Sequence, residues 1–402
     1  MTKSQSLIQY RPVVVVTDGM WRKSLSAIRS LGKAGFCTHV FGDSWLTVGF
    51  WSRFTGHRLV APDAKDDVVG FASALLRHLR EIEAKTPGGR RPVLIPMEEE
   101  SLRYVVDNSD ALRAHADFLA PSPAAFSTCA DKATTLALAA RLQIPHPKTE
   151  CADCADSLAA AVKRMRGDFV VKPVHGSGSR GVRYSPAFTA SEAEAYLRAF
   201  GPALVQERVP REGDAIGVSL LFGRDGECLA HFCHKRLREF PNGGGPSTDR
   251  IGVADERLLK MSLQLLQEIQ WQGVAMVEWK IDPRTGEPML MEINPRFWGS
   301  LELAVRSGVD FPLLYARAAA GCATPAPAPA LGLRCRWLIP GDILRWLTSD
   351  RAERESFATF CKGLPFSAEE WDGRDFPGFV ACVVCQALAV ALLPKYRKML
   401  RR

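Results

Sequence analysis

Residues 290–300 read LMEINPRFWGS. An apolar run gives way to Glu292, Asn294 and Arg296 at alternate positions, which share one face of an extended chain. Upstream, GVAMVEWKID (273–282) brings an apolar strand to Glu278, and PRTGE (283–287) turns the chain back. A short hairpin would gather Glu278, Glu292 and Asn294 around one pocket. Two carboxylates and an amide are hard oxygen donors. They suit Mg²⁺, or Mn²⁺ in its place, which keeps water ligands and borrows phosphate oxygens for the rest of its shell. Arg296 adds a forked cation at the rim, fit for a phosphoryl group. A solvated strand edge would carry the same residues, so the pattern gains weight only from companions.

The companions are present. VVKPVHGSGSRGV (170–182) sets Lys172 at the end of an apolar strand, before a loop containing Gly176, Ser177, Gly178, Ser179 and Gly181. Glycines let backbone N–H groups approach phosphate oxygens, and the serines add hydroxyl donors. Lys172 supplies a point charge for the inner phosphates. An ordinary hairpin loop remains open for the glycines, as does a surface-helix role for Lys132 in ADK (130–132). In LVQERVPREGD (204–214), Glu207 and Val209 straddle a hinge-like segment whose backbone suits an adenine edge, and Asp214 suits ribose hydroxyls. HKRLREFPNGGGPST (234–248) is expected to carry His234, Lys235 and Arg236 toward a reacting acyl phosphate, with glycines 243–245 as a water-excluding flap. A solvated basic hairpin is the alternative.

These residues need a frame. RPVVVVTDG (11–19) reads as a buried strand that breaks at Asp18-Gly19, and WRKSLSAIRSLGKAG (21–35) has helical spacing with Leu25, Ile28 and Leu31 on one face. FCTHVFG (36–42) is a second strand, VVGFASALLRHLREIEAK (68–85) a helix and RPVLIPM (91–97) another strand. That alternation implies a parallel sheet, and the single glycine in the first turn excludes a dinucleotide fingerprint. LAPSPAAF (119–126) reads as a linker, and a helix over 130–149 ends before Pro145. A helix at 155–166, strands on both sides of the glycine loop, a strand at 203–209, paired strands within 215–237 joined at Arg224-Asp225-Gly226 and a helix at 255–270 follow. ATPAPAPALG (323–332) is a second linker, before a mainly helical segment.

In this order the segments resemble the ATP-grasp superfamily over roughly residues 11–320: DK at 131–132, VVKP with its glycine loop, QERV at 206–209, VEWK at 277–280 and EINPR at 292–296. NPRFWGS followed by GVDFP (308–312) is similar to the predicted ATP-dependent carboligases of that superfamily. The resemblance implies an α/β and α+β chain, an ATP-grasp fold preceded by a Rossmann-like pre-ATP-grasp domain. The expected divisions are 1–120, then ATP-grasp subdomain A over 121–202 with the glycine-rich loop, subdomain B over 203–325 with the metal site, and a helical C-terminal segment over 326–402. It also implies ATP held between two subdomains. Lys132 and Lys172 become phosphate ligands, and Gln206, Glu207, Val209 and Asp214 line the adenine and ribose. Glu278, Glu292 and Asn294 become metal ligands and Arg296 a phosphate ligand. Asp214 stands where the superfamily more often has Glu. The implied reaction is ADP-forming: a carboxylate is activated as an acyl phosphate and attacked by an amine or thiol. Catalytic roles fall to Arg296, Lys235 and Arg236. Small-molecule carboxylate and amine substrates follow, their pocket shaped in part by PMEEESL (96–102). Bicarbonate activation is an alternative, without an MKM biotinylation motif in the chain. A nucleotide-binding accessory protein of a membrane-bound biosynthetic system is another.

The totals agree with a globular enzyme: 402 residues, 47% hydrophobic, 24% charged and a net charge of +8. The excess of Lys and Arg suits an anionic ligand or an acidic membrane face, while the lack of any nucleic-acid-reading motif leaves nucleic acid unexpected as a partner. Eleven scattered cysteines and an N-terminus without a signal-peptide core imply a reduced, cytoplasmic setting. Neither C-x-x-C pair, Cys151/Cys154 or Cys382/Cys385, is expected to bind zinc, for want of further ligands. FPGFVACVVCQALAVALLP (376–394) holds no charge, and KYRKMLRR follows. A simple span with its basic tail inside would leave the ATP site outside, so either a docked helix or peripheral contact of 376–402 with the inner membrane face is expected.

Overall fold

The computed structural model describes residues 12–176, 180–241, 244–350 and 354–392. Three sheets organise it. In the first, β1 (Val13–Val16), β2 (Cys37–Gly42), β3 (Thr55–Val60) and β4 (Val93–Ile95) are parallel, in the order β3-β2-β1-β4. The four valines of β1 are a continuous apolar run because helices cover both faces of a parallel sheet. Leu25, Ile28 and Leu31 of the helix Arg22–Lys33 are buried on one side, and Phe71, Leu75 and Leu79 of the helix Val68–Lys85 on the other. Asp67 caps the second helix by accepting from the Gly70 N–H at 2.9 Å. β3 has no counterpart in the sequence reading. It is an edge strand, TGHRLV, largely exposed, so it lacks the apolar periodicity that marks a strand.

The stretch read as a linker at 119–126 instead starts a helix, Pro123–Ala130: Ser122 caps it and Pro123 sits in its first turn, where a missing N–H costs nothing. Lys132–Arg141 is the next helix, capped by Asp131. The second sheet is antiparallel: β5 (Thr149–Ala152), β6 (Phe169–Pro173), β7 (Arg183–Tyr184) and β8 (Ala203–Glu207), in the order β5-β8-β6-β7. Helices Ala155–Arg164 and Ala190–Phe200 bury Phe169, Val171 and Val205 on one face. Strand alternation sends Lys172, Leu204 and Gln206 to the other face.

The third sheet has six strands: β9 (Ala215–Phe222), β10 (Cys228–Glu239), β11 (Ser247–Val253), β12 (Gly273–Ile281), β13 (Pro288–Asn294) and β14 (Arg334–Arg336). They run β13-β12-β9-β10-β11-β14, each antiparallel to its neighbours. The helix Glu256–Glu268 packs Leu258, Leu265 and Leu266 against Val277 and Trp279. The opposite face of β12 packs Val274 and Met276 into a second core and then, further along, presents Glu278.

The trailing segment returns to the other two layers. β14 extends the six-stranded sheet, and the buried guanidinium of Arg29 pairs with Asp375 at 2.8 Å. Arg29 also donates to the Glu370 carbonyl at 2.9 Å, and Arg22 pairs with Glu369 at 2.6 Å. The helix Phe376–Leu392 lays Ala381, Cys382 and Cys385 on Leu25 and Val48. No helix among the described residues is long and apolar enough to cross a membrane.

Candidate active site

The β12–β13 register sets Glu278 directly opposite Glu292, with Asn294 paired to Met276 two residues away. Facing carboxylates repel across a ladder unless something lies between them. The Asn294 amide does so, donating to Glu278 Oε1 at 3.0 Å and to Glu292 Oε1 at 3.4 Å. Arg236 of β10 donates to Glu278 Oε2. From the other sheet's side, Lys132 Nζ lies 3.5 Å from Glu292 Oε2. Arg296 donates to Asn294 Oδ1 at 3.2 Å, and its Nε stands 3.6 Å from Glu98 Oε2.

The charges are mutually dependent. Burial pushes the Glu278 carboxyl up, with Arg236 opposing. Burial would also raise Glu292, but Lys132, Lys172, Arg236 and Arg296 outweigh it and hold this carboxyl below its usual range. Burial brings Lys172 down to about 8, with Glu292 acting the other way. Glu292 is therefore an anion at neutral pH beside a second carboxyl group, and the Asn294 amide, whose oxygen here faces Arg296, joins their donor set when it turns over. That donor set fits a hard divalent cation.

Lys132 opens its helix immediately after the Asp131 cap, which fixes its position, and its ammonium also donates to the Gly176 carbonyl at 2.6 Å. The glycine loop is thus tethered to the same cation. Gly176 and Gly181 have φ of 104° and 73°, the left-handed region that glycine alone enters freely. Ser177, Gly178 and Ser179 lie outside the described residues.

Residues 208–214 carry the chain from β8 to β9, between the two sheets. Glu207 accepts from Arg284 at 3.0 Å, and the Val209 carbonyl accepts from Lys280 at 3.4 Å. A Cβ on Gly213 would stand 1.9 Å from the Ile281 carbonyl, so the close approach of the link to β12 requires glycine there. Gln206 is fully buried and donates to Thr149 Oγ1 at 2.8 Å, while its Oε1 is buried without a partner among the described residues.

Neighbours on a strand point to opposite faces, and this separates Lys235 from Arg236. Arg236 joins the carboxylate pair, whereas Lys235 turns away and pairs with Asp214 at 2.7 Å. His234 is buried and meets Ser300 Oγ at 3.1 Å; burial brings its imidazole down to about 3, so it is neutral and packed, not aimed at a reacting phosphate. Arg306 spends its donors on the Phe366, Ala368 and Trp371 carbonyls and on Glu302, which makes it a brace for the trailing segment. Of the flap, Gly244 and Gly245 are described, and the space beside Gly244 is filled by the Tyr184 hydroxyl of β7. The hairpin tip therefore reaches the neighbouring sheet.

Lys23 was missed by the sequence reading. Its ammonium lies 2.8 Å from Glu98 Oε1 and donates to the Phe297 carbonyl at 3.0 Å, linking the first sheet to Arg296. Asp18 accepts from Ser101 at 2.7 Å, and burial plus the nearby Glu98 raise it to about 6. The available signal was a cation in the helix turn immediately after TDG, facing the acidic PMEEESL segment.

Three sheets in this order, with lysines and carboxylates meeting between the second and third, are the arrangement of the ATP-grasp fold. Residues 229–339 match the family described as ATP-grasp in the biosynthetic pathway with Ter operon. Solved structures share the fold. Campylobacter jejuni biotin carboxylase, in a β-γ-ATP complex, superposes with a TM-score of 0.64 at 16% identity, over 80% of this chain and 74% of that one. The N5-carboxyaminoimidazole ribonucleotide synthetase of Thermus thermophilus gives 0.58 at 18%, over 80% and 81%. An L-amino acid ligase from Bacillus licheniformis gives 0.57 at 15%, over 77% and 74%. At these identities the likeness defines the fold alone. No curated protein matches the chain in sequence.

Proposed function

We propose that the protein is an ATP- and Mg²⁺-dependent ligase that activates a carboxylate as an acyl phosphate for attack by an amine, releasing ADP. The observation that carries this reading is the meeting of Lys132 with Glu292, at 3.5 Å, over the Glu278–Asn294–Glu292 cluster. A cation from one lobe faces a hard-oxygen donor set on the other, which is what a metal-bound triphosphate between them requires.

Glu278, Glu292 and Asn294 are assigned to Mg²⁺, which when bound would neutralise the β- and γ-phosphate oxygens. Lys132, Lys172 and the backbone around Gly176 and Gly181 hold the phosphates. Arg296 and Arg236 supply forked cations beside the reacting groups, Arg236 giving up part of its hold on Glu278. The unpartnered Oε1 of Gln206 suits a base amino group, the Glu207–Val209 backbone an adenine edge and Asp214 a ribose hydroxyl. Asp214 must then exchange its bond to Lys235, which frees that lysine. The carboxylate attacks the γ-phosphorus and ADP leaves. The amine then displaces phosphate from the acyl carbon and loses a proton, giving an amide. Positioning and charge neutralisation do most of this work.

In this reading the chain divides at 1–120, 121–202, 203–325 and 326–402 and acts in the cytoplasm, where ATP is available. The solvent face of the helix Phe376–Leu392 exposes Phe376, Val380, Val383, Val384, Leu388 and Leu392. The sequence then continues with Lys395, Arg397, Lys398, Arg401 and Arg402, outside the described residues. An apolar face beside a basic tail supports peripheral contact with acidic lipid.

The test is ADP release from Mg-ATP with pooled carboxylates and amines. Release that needs both co-substrates, and is lost in Glu292→Ala with the fold intact, supports the ligase. Release with bicarbonate alone makes the protein a carboxylase, and nucleotide binding without turnover makes it an accessory protein.

A further inference from the structure

The first sheet holds a second cluster of ligand-type side chains, at the opposite strand ends from the site above. Asp18 and Glu98 follow the C-terminal ends of β1 and β4. Cys37 begins β2 and pairs with Val13, the first residue of β1, so it marks the other edge. Cys37 and His39, two apart on β2, share the face covered by the helix Val68–Lys85, as does Phe41, which packs on Phe71 of that helix. Across the ladder His39 is paired with His57 of β3. The covering helix contributes His78, one turn from buried Leu75.

Three of these side chains converge, and His78 stands behind one of them. One ligand atom each from Cys37, His39 and His57 lies within 4.8 Å of the other two. The rings of His39 and His57 are 4.1 Å apart, and His39 Nδ1 stands 2.8 Å from His78 Nε2. On its far side, His78 Nδ1 is 4.0 Å from a Glu81 carboxylate oxygen. A hydrogen-bond partner on the non-ligating nitrogen of a histidine orients metal-bound imidazoles, and His78 fills that place for His39. His57 is exposed and Cys37 half-buried, which leaves an entry path, while His39 is buried.

We propose that Cys37, His39 and His57 bind one tetrahedral transition-metal ion, zinc in the first instance, at a site separate from the Mg²⁺ position, with His78 orienting His39 from behind. One thiolate and two imidazoles suit a borderline-soft cation and exclude Mg²⁺, which takes oxygen ligands. Three protein ligands leave the fourth position to water, and the ion staples β2 to the edge strand β3.

The test uses the untagged full-length chain, stripped by a chelator and titrated with Co²⁺. One equivalent is expected to bind with a thiolate-to-cobalt charge-transfer band and tetrahedral d–d absorption, to be displaced by Zn²⁺, and to raise the melting temperature. Cys37→Ser abolishes the charge-transfer band, and His57→Ala, at an exposed position, weakens binding by at least about tenfold. Glu278→Gln leaves the cobalt stoichiometry at one. Alkylation of the wild-type chain gives a reading that needs no variant: Zn²⁺ protects Cys37, whereas exposed Cys151 reacts equally with and without it. The proposal is overturned if the wild-type chain takes up no cobalt, if Cys37→Ser or His57→Ala binds as the wild type does, or if Zn²⁺ leaves Cys37 alkylation unchanged.

Discussion

Glu292 stands where the charges of Lys132, Lys172, Arg236 and Arg296 converge, and its ionisation depends on them. Glu292→Gln keeps the shape and removes the anion. It is expected to lower kcat for ADP release by on the order of a hundredfold or more, measured by a coupled ADP assay with thermal melting as the control for folding. Lys172 is expected to impose a pH dependence. Burial brings it to about 8, so the ammonium is charged near pH 7 and sheds its proton as the pH rises through that value. Triphosphate binding favours the charged form. Mg-ATP affinity should therefore fall between about pH 7 and about pH 9, with net proton uptake on binding at the alkaline end. Calorimetry in buffers of different ionisation enthalpy reads both, and Lys172→Arg should flatten the profile.

Among the elements, the β12–β13 hairpin does most to create the site, because its register alone decides that Glu278 and Glu292 face each other. A slip of one residue would send every side chain of β13 to the other face. The trailing segment matters differently: it braces the helix Arg22–Lys33, which carries Lys23, from behind. Arg29 and Asp375 are both buried, and removing one partner strands the other charge. Arg29→Ala is expected to destabilise the protein by about 3–5 kcal/mol, read by chemical denaturation. The loss should exceed that of Arg141→Ala, whose pair with Glu268 is exposed.

At the scale of the whole molecule, the helix Phe376–Leu392 packs one face on Leu25 and Val48 and leaves an apolar face outward. Full-length protein is expected to co-sediment with vesicles rich in anionic phospholipid and not with neutral ones. Replacing Val383 and Val384 by Glu on that face should abolish sedimentation while leaving ADP release unchanged, because these positions lie far in sequence and packing from the carboxylate pair. Equal sedimentation of the double variant would remove the membrane reading.

Much of the candidate site was legible in the chain because hairpins are local. Glu278, Glu292 and Asn294 are brought together by one turn, and alternation alone puts them on a common face. The same reasoning located Lys172 before its glycine loop. It failed where the determining contact was distant or the pattern weak. β3 shows no apolar period because an edge strand is only half enclosed. Lys23 looks like any polar residue of an early helix turn until Glu98, from a different strand's end, comes beside it. Adjacent Lys235 and Arg236 looked like one basic cluster, and strand alternation divided them. What the sequence by itself determined was therefore the local chemistry and the order of elements, since turns, caps and periodicity act over a few residues. What only the tertiary structure decided was which side chains meet across lobes and strands, including the Cys37–His39–His57 cluster. Those meetings depend on sheet order and register, which are set by packing between segments far apart in the chain.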